Sequence, residues 1–298
     1  MVTRLEAESI IKKTDFPYKS ELMDILFPSV RITAERCSIS ELPLGASRMG
    51  GVPDMPESLA WPVWNIPEDS TYRLNSSLSK GTVPLDLIAQ INLRDLGGMV
   101  GAEDLPDRGW LYFFYATESQ VWGFDPKDKG SSRVLYYNGP LGSLERRIPP
   151  RIAEEEYFSC LLQFSEDWTL PNDFNPYGKP LSHEESDNYS EMLEELSGDS
   201  EVRHRLLGFP WLIQNEMELE CQLVSNGLYC GNSSGYQSEE AKALAEGAAD
   251  WRLLMQIDSD EDNPGWMWGD GGSIYFWIKD QDLQAKNFEN TWLILQCY

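Results

Sequence analysis

The chain has 298 residues, with 24 Lys and Arg against 49 Asp and Glu, which gives a formal net charge of −25 at pH 7. Hydrophobic residues make up 41% and aromatic residues 12%, enough apolar material for a folded core, so the composition argues against general disorder. The charge disfavours nucleic acids and anionic membrane surfaces as partners, because both are bound through clustered Lys and Arg. We therefore expect neither a nucleic-acid-binding nor a membrane-associated protein.

The first predicted elements are two short amphipathic helices at residues 5–13 and 19–27, the second ending before Pro28. Charged residues interrupt this stretch, whereas a secretory signal needs an unbroken apolar run of about 7–15 residues. The five cysteines form no Cys-x-x-Cys pair, which is typical of a reducing compartment. The sequence thus predicts an unexported, cytoplasmic protein.

Three short motifs occur twice, in the same order along the chain. The first is an Arg followed by a Gly-x-Pro turn, the second an apolar run centred on Gln, and the third a Gly followed by large apolar residues. The matching residues are 48–53 with 205–210, 87–92 with 253–258, and 109–114 with 272–277. The apolar runs have the length of buried strands. This repetition predicts two related halves that arose by duplication.

The repeats define the predicted organisation of the chain. It consists of an N-terminal helical segment (1–39), a first half (40–150), an acidic connecting segment (151–202) and a second half (203–298). We expect one globular unit of the α+β class, rich in antiparallel strands, in which two pseudo-repeated halves share one core and helices lie at the periphery. Further helices are predicted near residues 188–197 and at residues 238–250, where Ser238 is the expected N-cap.

Four glutamines occur in apolar runs, each after two apolar residues and before another. They are Gln90, Gln163, Gln256 and Gln296. An unpaired buried amide costs about 1–3 kcal/mol, so we expect each of them to tie a strand to a neighbouring loop. The alternative is that these amides line a polar pocket.

Known catalytic and metal-binding patterns fail in this sequence. Residues 231–235 match the Gly-x-Ser-x-Gly nucleophile elbow, but no histidine follows Ser233 to act as its base. Residues 258–263 are similar to a calcium loop, yet Asn263 and Gly269 occupy the positions that require Gly and Glu. Phosphate-loop, dinucleotide-binding and zinc-protease motifs are missing. We predict no metal and no cofactor, and we favour a protein without catalytic activity.

Eight acidic residues and no basic one lie between Lys179 and Arg203. They are Glu184, Glu185, Asp187, Glu191, Glu194, Glu195, Asp199 and Glu201. Residues 184–201 therefore predict a surface for a basic protein partner, because complementary charge accelerates association. The alternative is that the charge only maintains solubility.

A small ligand held between the two halves is the competing hypothesis, because pockets often form where two units meet. Arg48, Arg205, Trp268 and Asp270 are the predicted ligand-binding residues. Arginine suits a carboxylate or phosphate ligand. Alternatively, both arginines brace their turns through backbone carbonyl groups.

Both halves carry longer motifs. The first half has Ser-Arg-Met-Gly-Gly-Val-Pro-Asp-Met-Pro at 47–56, Trp-Pro at 61–62 and Ala-Gln-Ile-Asn at 89–92. The second half has His-Arg-Leu-Leu-Gly at 204–208, Leu-Met-Gln-Ile-Asp-Ser at 254–259, Met-Trp-Gly-Asp-Gly-Gly at 267–272 and Leu-Gln-Cys-Tyr at 295–298. Together these motifs resemble the YwqG-like family of bacterial proteins of unknown function.

This resemblance spans residues 40–298 and implies a single α+β unit rich in antiparallel strands. It implies no reaction, substrate or catalytic residue, but it does suggest bacterial toxin–immunity neighbourhoods. Our leading expectation is an interaction or binding module, potentially of the immunity type. The alternative is a small-ligand-binding protein, or an enzyme of unknown reaction, with its site between the two halves.

Overall fold

The computed structural model describes residues 2–68, 81–150, 157–175, 178–198 and 200–298. The helices of this part of the chain are α1 (Arg4–Lys13), α2 (Lys19–Ile25), α3 (His183–Ser197), α4 (Glu218–Ser225), α5 (Ser233–Gln237), α6 (Glu239–Leu244) and α7 (Asp280–Gln284). Short 3₁₀ turns lie at Leu93–Leu96, Pro126–Asp128, Leu141–Ser143, Ala245–Asp250 and Phe288–Asn290. No helix within these ranges has both the length and the apolar character needed to cross a membrane.

The strands outnumber the helices and supply most of the core. They are β1 (Phe27–Arg36), β2 (Arg48–Met49), β3 (Asp54–Pro56), β4 (Val63–Ile66), β5 (Gly81–Pro84), β6 (Asp86–Asn92), β7 (Trp110–Tyr115), β8 (Ser132–Tyr137), β9 (Leu144–Arg146), β10 (Cys160–Thr169), β11 (Arg205–Leu206), β12 (Trp251–Asp258), β13 (Ser273–Lys279) and β14 (Trp292–Gln296). The prediction of an α+β fold that is rich in strands is therefore confirmed.

One large antiparallel sheet organises the molecule. Its strand order is β14-β13-β12-β11-β1-β10-β2-β6-β7-β8, while β3 pairs with β9 and β4 with β5 outside it. Strands β1 and β10 form the centre and pair along their whole length, from Phe27 opposite Thr169 to Arg36 opposite Cys160. We call β2, β6, β7 and β8 the first wing, and β11, β12, β13 and β14 the second wing.

The two wings face each other across the core. Phe113 of β7 and Phe276 of β13 meet edge to face, with their ring centroids 5.2 Å apart. The outer edge of β14 is covered by a segment of the first half, because Leu295 N donates to Trp122 O at 3.0 Å and Trp292 Nε1 donates to Gly123 O at 2.8 Å. The sheet is therefore nearly closed, and its main core lies inside it.

Strand β7 shows why the aromatic motifs are buried. All six of its residues are buried. Successive side chains of a strand point to opposite faces. Phe113 packs against the second wing, whereas Phe114 meets the ring of Trp61 at 5.7 Å on the other face. A strand covered on both faces needs large apolar residues at every position, which is the pattern that the sequence has here.

Helices α1, α2 and α3 pack together beside the centre of the sheet. The cluster combines Ala7 and Ile11 of α1, Leu22 of α2 and Met192 of α3 with Trp168 of β10. A capping box fixes each long helix at its start: Thr3 and Glu6 at α1, and Ser182 and Glu185 at α3. Charged residues occupy the exposed sides of these helices, so the helices are amphipathic.

The predicted helices are observed, with shifted bounds. Helix α2 ends at Ile25, because Phe27 already pairs with Thr169. The predicted helix at 238–250 is α6 followed by the 3₁₀ turn Ala245–Asp250, and Ser238 caps it by accepting from Ala241 N at 3.0 Å. Helix α3 starts at His183, well before the predicted residue 188.

Two of the predicted segments contain strands that the sequence did not indicate. The N-terminal segment 1–39 is helical only up to Ile25, because Phe27–Arg36 form β1. The connecting segment 151–202 includes β10, next to β1 at the centre of the sheet. The apolar runs in these two strands are short, because charged residues interrupt both strands and much of each is only partly buried. Residues 151–156 and Asp199 of the connecting segment lie outside the described residues.

Candidate functional site

Arg48 belongs to a buried hydrogen-bonded unit in the first wing, which we call the first latch. Its Nη1 donates to Val52 O at 3.1 Å, and its Nη2 forms an ion pair with Asp54. Gln90, opposite Arg48 in the sheet, accepts from Asp54 N through Oε1 at 2.7 Å. Tyr112 completes the unit by donating from its hydroxyl to Asp54 O at 2.8 Å. The latch thus ties the turn after β2 to strands β6 and β7.

Arg205 belongs to a matching unit in the second wing, the second latch. Its Nη1 donates to Phe209 O at 3.0 Å, and Gln256 lies opposite it in the sheet. Gln256 Oε1 accepts from Trp211 N at 2.8 Å, and Tyr275 donates to Trp211 O at 2.6 Å. The two latches differ in one respect: Trp211 occupies the position of Asp54, so Arg205 forms no ion pair with a described residue.

The turns of the two latches share an unusual backbone. Gly50 and Gly51 have φ angles of 63° and 62°, and the matching Leu207 and Gly208 have 57° and 76°. A Cβ on Gly51 would lie 2.0 Å from Ser159 Oγ, so glycine is required there by space as well as by conformation. Leucine adopts the left-handed region at a cost, which the surrounding contacts must offset.

The four predicted ligand-binding residues are not brought together. Arg48 and Arg205 are 0% and 4% exposed, and strands β1 and β10 lie between their strands in the sheet. Burial lowers the pKa of both guanidinium groups, although Asp54 opposes this at Arg48. Trp268 is buried with its ring 5.2 Å from that of Trp266, while Asp270 is exposed. Both arginines contact backbone carbonyl groups of their own turns. Ligand binding by these four residues stays a prediction.

Three of the four glutamines have the predicted role. Gln90 and Gln256 act in the latches, and Gln296 accepts from Ile213 N at 3.2 Å and from Gln214 N at 3.0 Å. Gln163 is exposed on β10, so the prediction was wrong for this residue. Its neighbours in the sequence are apolar, but one face of the central strands is not covered at this point.

The calcium-like segment at 258–263 has another arrangement. The carboxylate of Asp260 is buried, accepts from Asn263 Nδ2 at 3.0 Å and lies 3.4 Å from His204 Nε2. Burial raises the pKa of Asp260, but the hydrogen bonds from His204 and Asn263 outweigh this and hold it below its usual value. Across the described ranges, no three His, Cys, Asp or Glu side chains are grouped so that they could hold a metal ion.

A polar cleft of about 280 Å³ lies where the two wings meet, and we call it the seam cleft. The first half contributes residues 128–133, and the second half contributes Lys279, Asp282, residues 289–293 and the ring of Trp251. The cleft exists because the end of β13 and the start of β14 approach the start of β8 when the sheet nearly closes.

Three cations line the seam cleft: Lys129, Arg133 and Lys279. None of them forms an ion pair with a described carboxylate. Lys279 Nζ lies 5.4 Å from the centre of the Trp251 ring, and that ring is fixed by a 3.0 Å hydrogen bond from Nε1 to Gln222. The guanidinium and ammonium groups therefore keep unused donors in a confined space.

Two carboxylates of the cleft are already engaged. Asp282 Oδ1 accepts from Asn287 Nδ2 at 2.9 Å and from Asn290 Nδ2 at 2.8 Å, and Asp128 Oδ2 accepts from Gly123 N at 3.0 Å. Glu289 is exposed at the rim. The lining therefore carries three cations and three carboxylates. The cations keep donors free for an anion, while the hydrogen bonds that Asp128 and Asp282 accept from the protein partly offset the charge of these two acids.

Sequence reasoning missed this cleft, although a signal was present. Residues 127–133 carry Lys127, Lys129 and Arg133 within seven positions of a chain that has twice as many acids as bases. A local excess of basic residues in a chain that is otherwise acidic indicates a surface with a different charge from the rest, which is a signal for an anion site. Lys279 lies far away in the sequence, and only the closing of the wings adds it to the cleft.

The exposed side of α3 carries acids at helical spacing, and we call it the acidic face. Glu184, Asp187, Glu191 and Glu195 are separated by three, four and four residues, all of them exposed. None is in an ion pair with a described residue, whereas their neighbour Glu194 pairs with Arg203 at 2.9 Å. Like charges four residues apart destabilise a helix by about 0.2–0.5 kcal/mol, so the stripe does not serve helix stability.

Comparison with known proteins shows the family to which the chain belongs. Residues 47–297 match a family described as "Domain of unknown function (DUF1963)". The chain belongs to this family. No curated protein matches the sequence. The DUF1963 match includes both latches, both wings and the acidic face, but it begins after β1, the central strand of the sheet.

Proposed function

We propose that this DUF1963 protein is a binding protein that takes a small anionic ligand in the seam cleft. The observation that supports this most directly is the convergence of Lys129, Arg133 and Lys279 on one cleft, without a carboxylate partner, in a protein of net charge −25. Cations left unpaired at a concave site are the usual basis for carboxylate or phosphate recognition.

The cleft geometry favours a small, multiply charged ligand. Its volume of about 280 Å³ is just below the usual range of small-molecule sites, about 300–1,000 Å³. Arg133 offers a planar fork for two oxygen atoms, and the two lysines offer point charges. The net charge of the protein repels anions at long range, so tight binding requires direct contacts with several cations at once.

Removing the three cations is expected to abolish this binding. The variant carries Lys129→Gln, Arg133→Gln and Lys279→Gln, and isothermal titration calorimetry with pyrophosphate and with citrate measures its affinity. We expect at least about a tenfold loss for either anion, since 1.4 kcal/mol corresponds to a factor of ten.

The matched control keeps the same net charge. It carries Lys13→Gln, Lys179→Gln and Lys242→Gln, three exposed lysines outside the cleft. If the control loses as much affinity as the cleft variant, the effect is general charge and the proposal fails. It also fails if the wild-type protein binds neither anion.

A second candidate function is the recognition of a basic protein partner by the acidic face. It is supported by the four unpaired carboxylates on α3 and by the absence of basic residues between Lys179 and Arg203 in the sequence. An immunity-type role would be one form of this function, with the partner supplying clustered Lys and Arg.

Neutralising the acidic face is expected to weaken binding to a basic ligand. The variant carries Glu184→Gln, Asp187→Asn, Glu191→Gln and Glu195→Gln, and an oligo-arginine peptide serves as the probe. The control carries Glu35→Gln, Glu57→Gln, Glu216→Gln and Glu246→Gln, four exposed acids elsewhere. We expect the affinity to fall at least about tenfold in the first variant and less than about twofold in the second. Equal losses would mean that only the net charge matters.

We also propose that the chain is a YwqG-like, cytoplasmic member of DUF1963 and that its halves arose by duplication. The matching latches support the duplication, because the hydrogen bonds of the arginine, glutamine and tyrosine to the turn recur at the same positions within each repeated motif. Gly50 N donates to Ile88 O at 3.0 Å and Leu207 N donates to Leu254 O at 3.2 Å, each two residues before the latch glutamine.

A further inference from the structure

A larger cleft, of about 530 Å³, lies at one end of the first wing, and we call it the end cleft. Its walls are residues 43–47 before β2, Asn92 at the end of β6 with Arg94 and Asp95 after it, residues 108–110 at the start of β7 and residues 138–141 after β8. Leu161 and Leu162 of β10 complete the lining, and the second wing contributes no residue. The end cleft is therefore distinct from the seam cleft.

Part of the lining is apolar and unusually exposed. Leu44, Leu141 and Leu161 are 41%, 50% and 37% exposed. Trp110 lines the same cleft but is only 7% exposed, because its Nε1 donates to Gly45 O at 2.8 Å and its ring stacks on Tyr137 at 6.1 Å. Three exposed leucines in the lining of one cleft form an apolar surface that a bound molecule would cover.

Two arginines supply charge at the same cleft. Arg94 and Arg108 are exposed, and neither forms an ion pair or a side-chain hydrogen bond with a described residue. The carboxylate in the lining, Asp95, accepts from Ser47 Oγ at 2.7 Å. The two guanidinium groups therefore remain available for an anionic group of a ligand.

The second wing has no arginine at the positions that match Arg94 and Arg108. Arg94 follows the latch glutamine by four residues, and the matching position in the second wing is Asp260. Arg108 precedes the latch tyrosine by four residues, and the matching position there is Gly271. The latch residues recur in both wings, whereas the cations occur only where the end cleft is.

We infer that the end cleft binds the carboxyl terminus of an apolar peptide. Arg94 and Arg108 hold the terminal carboxylate, and the three exposed leucines cover the last side chains. Asn138, exposed in the lining, and the Nδ2 group of Asn92, whose Oδ1 already accepts from Arg94 N at 3.3 Å, offer polar groups to the peptide backbone. An inorganic anion would leave the leucines uncovered, and a hydrocarbon chain would leave the asparagines without partners.

The test uses acetyl-Leu-Leu-Leu as the free acid and as the terminal amide. Isothermal titration calorimetry is carried out on the full chain and on the Arg94→Gln, Arg108→Gln variant. We expect the free acid to bind the wild-type protein at least about tenfold more tightly than the amide, and the variant to lose that preference. The affinity for the amide should be the same in both proteins.

The outcomes are distinguishable from those at the seam cleft. The variant with Lys129→Gln, Arg133→Gln and Lys279→Gln should bind the free acid as the wild-type protein does. Equal affinity for acid and amide, no saturable binding of the acid, or tighter binding of decanoate than of the peptide would each overturn the inference. A correctly folded variant is verified by unchanged circular dichroism.

Discussion

Replacing Asp54 with Ala is expected to lower the free energy of unfolding by about 3–5 kcal/mol. The Asp54 side chain is fully buried and forms ion pairs with Arg48 and, at 3.0 Å, with Arg146 Nε. It also accepts from Gly45 N at 2.7 Å. Its loss leaves the buried Arg48 charge without a counterion, and Arg48 Nε already has no hydrogen-bond partner. Urea-induced unfolding followed by fluorescence measures the change.

The double variant Arg48→Met, Asp54→Leu is the informative comparison. Removing both buried charges costs less than removing one of them, because no unpaired ion remains in the core. We therefore expect it to be more stable than Asp54→Ala. The exposed Asp107→Ala should stay within about 0.5 kcal/mol of the wild-type protein. A loss below about 1 kcal/mol for Asp54→Ala would contradict the role of the first latch.

Glu220 is expected to make the protein less stable as the pH rises from 4.5 to about 7. Burial raises the pKa of Glu220 to about 7, partly opposed by a hydrogen bond from Tyr236. The neighbouring titratable groups are Glu218, Cys221, Cys230 and Tyr236, and none of them brings a positive charge. The carboxylate form is therefore poorly stabilised in the folded protein.

The sign of the effect follows from proton binding. Between pH 4.5 and about 7 the folded protein holds a proton on Glu220 that the unfolded chain has released. The stabilisation is complete below pH 4.5 and is lost as the pH rises through about 7. The neutral variant Glu220→Gln removes this dependence. The difference in free energy of unfolding between this variant and the wild-type protein should therefore grow in favour of the variant by about 2–3 kcal/mol from pH 5 to pH 8.

Unfolding of both proteins by urea at pH 5, 6, 7 and 8 measures this gain. The exposed Glu216→Gln variant serves as the control and should follow the wild-type pH dependence. A parallel pH dependence of Glu220→Gln and the wild-type protein would show that Glu220 titrates at its ordinary pKa. The prediction would then be wrong.

The strands that the sequence predicts are those covered on both faces. Strands β6, β7, β12 and β13 consist almost entirely of buried residues, so each appears as an apolar run of strand length. The central strands β1 and β10 were missed because charges and apolar residues mix along them. Arg31 and Asp167, for example, form a 3.1 Å ion pair across the sheet. Such a pair becomes favourable only after the strands have paired.

The candidate sites could be predicted only in part, for a related reason. The latch glutamines occupy apolar runs, and a buried amide must find partners, so Gln90 and Gln256 were predicted as ties between strand and loop. The two clefts, by contrast, form only where residues that are far apart in the sequence come together in the fold. Arg133 and Lys279 come from different halves, and Arg94 and Leu161 come from different segments of the first part of the chain. No local pattern indicates these encounters.

The position of β1 has a consequence for how the family domain can be isolated. The DUF1963 match starts at residue 47, whereas β1 ends at Arg36 and separates β10 from β11 in the sheet. A fragment that starts at the family boundary would lose the strand that joins the wings. Strand β10 would then expose ten residues of unpaired backbone, a template for association between chains. The smallest unit of this protein that keeps its sheet whole therefore begins upstream of the domain by which it is classified.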